Sequence, residues 1–297
     1  MTTSSNPPLS TWIAGARPRT LPAAVVPVAV GAACAVGIEN GPDVVWWRVV
    51  GALAVSVLLQ IGVNYANDYS DGVKGTDDVR VGPVRLVATG QASPRAVKRA
   101  ALAMLLCAAI VGLVLAIATS WWLLVVGAAA ILAAWGYTGG PRPYGYLGLG
   151  ELFVFVFFGL VATVGTTYMA ILSVPGVTWV AACGVGLLAC ALLVVNNLRD
   201  IPTDAQVGKR TLAVRLGDRR TRGLYVGLVV GAFAVAALSA IVRPWAVLAI
   251  GGVLIAQIPV RRVLTGASGG ELIGVLGATG KTQLVYGALL AIGLAAG

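Results

Sequence analysis

Apolar runs of about 20 residues alternate with short polar stretches along almost the whole chain, and a run of that length can cross a bilayer as a helix. Reading the runs between charged or Pro/Gly-rich stretches predicts about nine transmembrane segments. They fall near residues 20–38, 48–67, 100–118, 121–138, 149–172, 177–198, 222–242, 244–260 and 280–296. The pattern predicts an all-α polytopic membrane protein, with residues 1–297 forming a single integral membrane domain.

The composition supports this prediction and excludes several kinds of chemistry. Hydrophobic residues make up 58% of the chain and charged residues 11%, against about 25% charged residues in soluble domains. Histidine is absent, which excludes a Ser-His-Asp triad, a histidine metal site and an imidazole base. The four cysteines all lie in apolar runs without a CxxC pair, so we interpret them as small buried hydrophobes. Any bound metal is then expected to be a hard cation held by carboxylates.

The basic residues predict the orientation. If the N-terminus is cytoplasmic, only Arg48 and Arg243 among the 21 basic residues fall on the outer side. This asymmetry follows the positive-inside rule and accounts for the net charge of +10 without a nucleic-acid partner. No signal peptide precedes the first segment, so we expect a retained N-terminus in a plasma-membrane protein. Two long cytoplasmic segments, 68–99 and 199–221, hold most of the acidic residues.

Two similar polar motifs end the second and sixth predicted segments. The first reads Asn64-x3-Asp68-x2-Asp71 and the second reads Asn196-x3-Asp200-x3-Asp204. Spacings of three and four residues place side chains on one helical face. Since both motifs have the same predicted orientation, we expect them to face one cavity. Acids and amides are costly to bury at membrane depth, which favours a functional role.

The residue types in the motifs favour a metal and a phosphate. Carboxylate and amide oxygens suit Mg²⁺, which in turn suits a diphosphate ligand. Basic residues follow both motifs and can neutralise phosphate oxygens. They are Lys74, Arg80 and Arg85 after the first motif, and Lys209 and Arg210 after the second.

At these two motifs the sequence resembles the UbiA superfamily of intramembrane prenyltransferases, which carries aspartate-rich motifs on its second and sixth helices. The resemblance covers essentially the whole chain and implies about nine transmembrane helices around a central cavity with a cytoplasmic polar cap. Within the superfamily, the sequence is most similar to the menaquinone-biosynthesis branch. The stretches that carry this similarity are 16–21, 67–77, 137–144 and 197–201 with 208–212.

The resemblance implies a reaction and a set of site residues. A polyprenyl group would pass from polyprenyl diphosphate to 1,4-dihydroxy-2-naphthoate with loss of CO₂, giving demethylmenaquinone, while the isoprenoid tail lies in the lipid bilayer. The implied catalytic, Mg²⁺-binding residues are Asp68, Asp71, Asp200 and Asp204. The implied substrate-binding residues are Asn64, Asn67, Lys74, Arg80, Asn196, Asn197, Lys209, Arg210, Tyr137, Tyr144, Arg17 and Arg142. Tyr65 and Tyr69 are further candidates for the cavity wall.

Some alternatives stay open at this level. Other UbiA-type enzymes prenylate 4-hydroxybenzoate, haem or a chlorophyll precursor, or transfer phosphoribose to a lipid phosphate. Repeated intramembrane acids also fit an ion-coupled transporter, but transporter sites usually lie near the midplane, whereas these acids lie at the cytoplasmic end. Pro202 departs from the expected motif, where an acidic residue is common. A helix break at Pro202 would displace Asp204.

Overall fold

A computed structural model of the chain describes residues 7–38, 41–75 and 85–297, which are mostly helical. The helices are α1 (Leu9–Ala16), α2 (Pro22–Ala35), α3 (Trp46–Lys74), α4 (Pro94–Ala118), α5 (Trp122–Gly136), α6 (Gly150–Ile171), α7 (Gly176–Gln206), α8 (Leu212–Ser239), α9 (Pro244–Leu264) and α10 (Glu271–Ala295).

The described helices agree with the predicted all-α membrane fold. Seven of them are long and apolar enough to cross a membrane, and α1 with α2 form a bent pair that makes an eighth candidate. The remaining predicted segment, 121–138, corresponds to α5, an apolar helix of 15 residues. The count of nine is therefore approximate, because α5 is shorter than the roughly 20 residues that span a bilayer without thinning it.

Helix α7 is the centre of the bundle. Val185 and Leu188 on this helix are fully buried and share one apolar core with Tyr225 of α8 and Tyr286 of α10. Glycines allow close approach on the other side of α7, where a Cβ atom on Gly159 of α6 would lie 2.6 Å from the Cα of Gly186. Without a hydrophobic force between helices in lipid, such small-residue contacts are a main source of helix association.

The two motif helices are longer than predicted. Helix α3 continues to Lys74 and α7 to Gln206, so the aspartates lie on helices rather than in the loops that follow. The expected break at Pro202 is wrong. Proline removes one intrahelical hydrogen bond, but Pro202 is exposed and close to the helix end, and α7 continues past it. The chain leaves the helix further on, where the Lys209 amide donates to the Asp204 carbonyl.

Two irregular helices shape the space next to the motifs. Helix α6 contains a π-helical segment, Phe155–Val161, a feature often found at functional sites. Helices α1 and α2 meet at 54°. The bend follows from Arg17, which has a left-handed φ of 53°, and from Pro18 after it.

Arg48 and Arg243, the two bases predicted on the outer side, bind the C-terminal ends of helices. Arg48 donates to the carbonyls of Ala118 and Met169, near the C-terminal ends of α4 and α6. Arg243 donates to the Leu294 carbonyl at the end of α10. A cation at a helix C-terminus satisfies carbonyls that have no intrahelical donor and interacts favourably with the helix dipole.

Candidate active site

A cavity of about 590 Å³ lies between the two motif helices and has a polar and an apolar end. The polar end is lined by Arg17, Asn64, Asn67, Asp71, Arg85, Thr138, Asn196, Asn197 and Lys209. The apolar end is lined by residues of α3, α4, α5 and α6, among them Val55, Leu59, Leu115, Val126, Phe157 and Met169. Such a space suits an amphiphilic molecule with a charged head and an apolar tail.

The first motif presents only part of its polar residues to this cavity. Asn64, Asn67 and Asp71 line it, at the three- and four-residue spacings that share one face of α3. Asp68 is fully buried and accepts hydrogen bonds from the backbone amides of Leu86 and Val87, at 2.8 and 3.1 Å. Asp68 therefore binds the segment after the helix, whereas Asp71 faces the cavity.

Asn64 and Arg17 join the N-terminal segment to α3. The Asn64 side-chain amide donates to the Ala16 carbonyl at 2.8 Å and to the Thr20 hydroxyl at 3.1 Å. Arg17 in turn donates to the Asn64 carbonyl at 3.4 Å. These contacts hold the α1–α2 bend against the motif and place the Arg17 guanidinium on the cavity wall.

The second motif is bound mainly by basic residues. Arg199 donates to both carboxylate oxygens of Asp200, at 2.7 and 2.8 Å, and also to the Asn196 side-chain oxygen. Lys209 lies 3.5 Å from the Asp204 carboxylate and lines the cavity itself. Asn196 and Asn197 complete the wall on the α7 side.

Tyr146, which the sequence interpretation did not include, connects the two motifs. Its hydroxyl donates to Asp71 at 2.8 Å. Lys74 and Lys209, one from each motif region, lie over its ring at 4.9 and 5.2 Å from the ring centroid, within the range of cation–π attraction. Lys74 also donates to the Thr138 carbonyl at 2.8 Å. Tyr146 lies two residues after the Tyr/Gly-rich stretch 137–144. This proximity is the only feature of the sequence that could have pointed to Tyr146.

Aromatic residues form the wall below the polar end. Tyr137 and Tyr144 both line the cavity, and the Tyr144 ring stacks on Phe153 with centroids 3.9 Å apart. Burial raises the pKa of the Tyr144 hydroxyl above its usual value.

Several predicted residues lie elsewhere. Arg142 and Arg210 are exposed and do not line the cavity. The same holds for two tyrosines considered for the wall: Tyr65 donates to the Trp12 carbonyl, and Tyr69 stacks on Trp135. Arg80 lies outside the described residues.

The four aspartates do not form a compact acidic cluster. Within residues 7–38, 41–75 and 85–297, no group of three or more His, Cys, Asp or Glu side chains is close enough together to hold a metal ion. A Mg²⁺ site does not require one, because Mg²⁺ is usually held by one or two carboxylates together with substrate phosphates and water. The Mg²⁺ ligand set stays a prediction.

The fold and the cavity define a multi-pass helical membrane protein whose charged site opens into an apolar interior. The chain belongs to the UbiA prenyltransferase family, whose profile matches residues 24–270.

Relatives of known name lie within this family. The chain is 51% identical over 286 residues to 1,4-dihydroxy-2-naphthoate octaprenyltransferase of Mycobacterium tuberculosis, covering 96% of this chain and 97% of the relative. It is 38% identical over 241 residues to the Escherichia coli protein of the same name, covering 76% and 75%. The resemblance to the menaquinone branch is thereby confirmed.

Solved structures share the fold. An apo UbiA homologue from Aeropyrum pernix superposes with a TM-score of 0.70 at 16% identity, covering 91% of this chain and 97% of that chain. A UbiA homologue from Archaeoglobus fulgidus, bound to GPP and Mg²⁺, has a TM-score of 0.64 at 15% identity, covering 94% and 99%. At these identities the likeness concerns the fold alone.

Proposed function

We propose that this protein transfers a polyprenyl group from polyprenyl diphosphate to 1,4-dihydroxy-2-naphthoate, with loss of CO₂, in menaquinone biosynthesis. The observation that carries the proposal is the cavity itself, which joins amides, bases and Asp71 at one end to an apolar interior at the other. The relatives named 1,4-dihydroxy-2-naphthoate octaprenyltransferase support the choice of both substrates.

The residues present fit Mg²⁺. The polar end offers carboxylate and amide oxygens, the ligands that this hard cation prefers. Asp71, which lines the cavity, would hold it together with the diphosphate, and Asp204, which pairs with the cavity-lining Lys209, would add the carboxylate of the second motif. Asp68 and Asp200 precede them in the two motifs. When bound, Mg²⁺ would neutralise charge on the diphosphate as it leaves. The homologue solved with GPP and Mg²⁺ supports a dependence on Mg²⁺.

The basic residues of the polar end bind the diphosphate. Lys209 and Arg85 line the cavity, and Arg85 lies 4.0 Å from Asp71. Lys74, held over Tyr146 beside Lys209, adds a third cation near the same place. Cations that contact phosphate oxygens make strong charge-assisted hydrogen bonds. The isoprenoid tail lies in the apolar end and continues into lipid.

The aromatic wall suits the reacting centre. The allylic C–O bond breaks, the electron pair leaves with the diphosphate, and the remaining carbocation lies against electron-rich rings such as those of Tyr137 and Tyr144, which can stabilise it. The apolar wall excludes water, which would otherwise trap the cation. The naphthoate ring carbon that bears the carboxylate then attacks the cation and forms the new C–C bond. The bond from this carbon to the carboxylate breaks, CO₂ leaves, and the electron pair of the broken bond returns to the ring. The product is the demethylmenaquinone skeleton in its reduced form.

The protein is proposed to lie in the plasma membrane, with the polar end of the cavity facing the cytoplasm. The two motifs lie together at one end of the bundle, and Arg48 and Arg243 bind helix ends at the other. Bases concentrated beside the motifs support a cytoplasmic location under the positive-inside rule.

The direct test is prenyl transfer by the purified protein with Mg²⁺, a polyprenyl diphosphate and carboxyl-labelled 1,4-dihydroxy-2-naphthoate. We expect one labelled CO₂ per prenylated product. Prenylation of 4-hydroxybenzoate keeps the carboxylate, because the new bond forms at an unsubstituted ring carbon and not at the carbon that bears the carboxylate. Label retained in the product, or turnover with 4-hydroxybenzoate alone, would show that the acceptor is wrongly assigned. Ion-coupled solute uptake into vesicles without prenyl transfer would favour a transporter instead.

A further inference from the structure

A half-buried glutamate that the proposed reaction does not yet use binds a residue of the cavity wall. Glu151, at the start of α6, accepts a hydrogen bond from the Asn197 side-chain amide at 3.0 Å. Its second carboxylate oxygen is buried and makes no hydrogen bond to the described residues. A carboxylate is costly to bury at membrane depth, so an acid retained there points to a function.

The contact determines which end of the Asn197 amide faces the cavity. An asparagine side chain has one donor end and one acceptor end, and only the donor end can bind a carboxylate. The Asn197 nitrogen is engaged by Glu151, which leaves the carbonyl oxygen as the end of the amide available to the cavity that Asn197 lines. This oxygen makes no hydrogen bond within the described part of the chain, which leaves it as an acceptor for a bound molecule.

The chemistry of the substrates selects the partner of this oxygen. An ionised diphosphate offers only acceptor oxygens, and an isoprenoid tail offers no polar group. Mg²⁺ also binds amide oxygens, and the KM for the diphosphate in the test below distinguishes it from the ring. The dihydroxynaphthoate ring carries two hydroxyl donors. The wall around Asn197 also suits a flat ring, because the neighbouring Tyr137 lines the cavity and packs so closely on α6 that a Cβ on Gly150 would lie 3.2 Å from its ring.

We propose that Glu151 is a positioning residue that orients the Asn197 amide so that its carbonyl oxygen accepts a hydrogen bond from a hydroxyl of the aromatic acceptor. The inference rests on the proposed function, because it names the part of that site that binds the ring. It assigns Asn197 to acceptor recognition rather than to the diphosphate.

The test compares variants of the purified full-length protein in the prenyl-transfer assay. Glu151→Leu and Asn197→Ala should each raise the KM for dihydroxynaphthoate by about tenfold, the effect of one lost hydrogen bond. The KM for polyprenyl diphosphate should stay unchanged. Glu151→Gln, which keeps an acceptor oxygen, should remain within about threefold of wild type, a loss of under 1 kcal/mol. The double variant Glu151→Leu/Asn197→Ala should be no worse than Asn197→Ala alone, because both act through one hydrogen bond.

A matched control and an inhibitor complete the design. Glu271→Leu removes an exposed glutamate from the first turn of another helix, α10, and should leave both KM values unchanged. 2-Naphthoate, which lacks both hydroxyls, should inhibit wild type and Asn197→Ala equally. If Glu151→Leu fails to fold, the KM of Glu151→Gln and the inhibitor comparison still test the proposed hydrogen bond.

Three results would overturn the inference. If Glu151→Gln raises the KM for dihydroxynaphthoate as much as Glu151→Leu or Asn197→Ala, the charge of the carboxylate itself acts. A changed KM for the diphosphate would assign Asn197 to phosphate or metal. If 2-naphthoate inhibits Asn197→Ala more weakly than it inhibits wild type, the Asn197 amide does not act by accepting a hydrogen bond from a hydroxyl. Failure of the proposed function is a separate result, since wild-type protein would then not turn over dihydroxynaphthoate at all.

Discussion

The two aspartate motifs are similar in sequence but are held by different partners. Asp68 accepts hydrogen bonds from two backbone amides of the segment after α3. Asp200 is bound by the guanidinium of its chain neighbour Arg199. The first motif therefore depends on how a distant loop folds, whereas the second is held largely by its own helix.

The cavity-facing residues of the motifs differ as well. On α3 the cavity is lined by Asn64, Asn67 and Asp71, and on α7 by the adjacent pair Asn196 and Asn197. The Asn-x3-Asp spacing that the two motifs share therefore did not produce equal positions in the site. The comparison shows that one member of a motif can bind the surrounding backbone while its neighbour lines the cavity.

The largest expected effect comes from separating these two roles within the first motif. Asp71→Asn should reduce the turnover rate by about 100-fold or more, because a charge at the reacting end of the cavity is lost. Asp68→Asn should lose only about tenfold, since it weakens hydrogen bonds to the backbone. Single-turnover kinetics would measure both. Asp218→Asn, on the exposed side of α8, is the control and should stay near wild type. Equal losses in the two variants would mean that Asp68 also acts on the substrate.

The second motif should respond in stability. Arg199→Met leaves the buried Asp200 carboxylate without its guanidinium, which should lower the free energy of unfolding by about 3 kcal/mol. Thermal unfolding in detergent would show this as a lower midpoint. Asp218→Asn, which weakens the pair between this largely exposed carboxylate and Arg222, provides the comparison and should cost less. An unchanged midpoint for Arg199→Met would mean that other contacts suffice to hold Asp200.

Tyr146 tests whether the two motifs work as one site. Tyr146→Phe keeps the ring under Lys74 and Lys209 but removes the hydrogen bond to Asp71, so activity should fall about tenfold. Tyr146→Leu should cost more, because the lysines also lose their aromatic surface. Steady-state kinetics with polyprenyl diphosphate would measure both. Tyr225→Phe removes another buried hydroxyl contact, to Thr279 outside the cavity, and should leave activity intact. Identical behaviour of Tyr146→Phe and Tyr225→Phe would contradict the connecting role.

The smallest perturbation tests whether the motifs share one side of the membrane. In a variant without the native cysteines, single cysteines at the exposed Gln91 and Gln206 should react with a membrane-impermeant maleimide only from the cytoplasmic side. A cysteine at the exposed Asp43 should react only from outside. None of these changes should alter activity by more than about 0.5 kcal/mol in barrier height. Labelling of Gln91 and Gln206 from opposite sides would refute the shared site.

The sequence by itself determined the fold class, the approximate spans and the chemistry available to the site. Apolar length and charge asymmetry are local properties, because the bilayer acts on each segment separately. The positions of the two motifs, each at the end of a segment with the same predicted orientation, likewise predicted that both lie at one end of the bundle. These features need no knowledge of which helices touch.

Only the tertiary structure decided which motif residues face the cavity and which support the fold. The α3 spacing predicts that Asp68 and Asp71 both face the cavity, but only Asp71 lines it, because Asp68 binds the backbone amides of Leu86 and Val87. Tyr146 and Glu151 reach the motifs across 75 and 46 residues of chain. Arg142, in the same region, points into solvent. Such contacts depend on how a loop folds across two helices, and no periodicity in the chain records that.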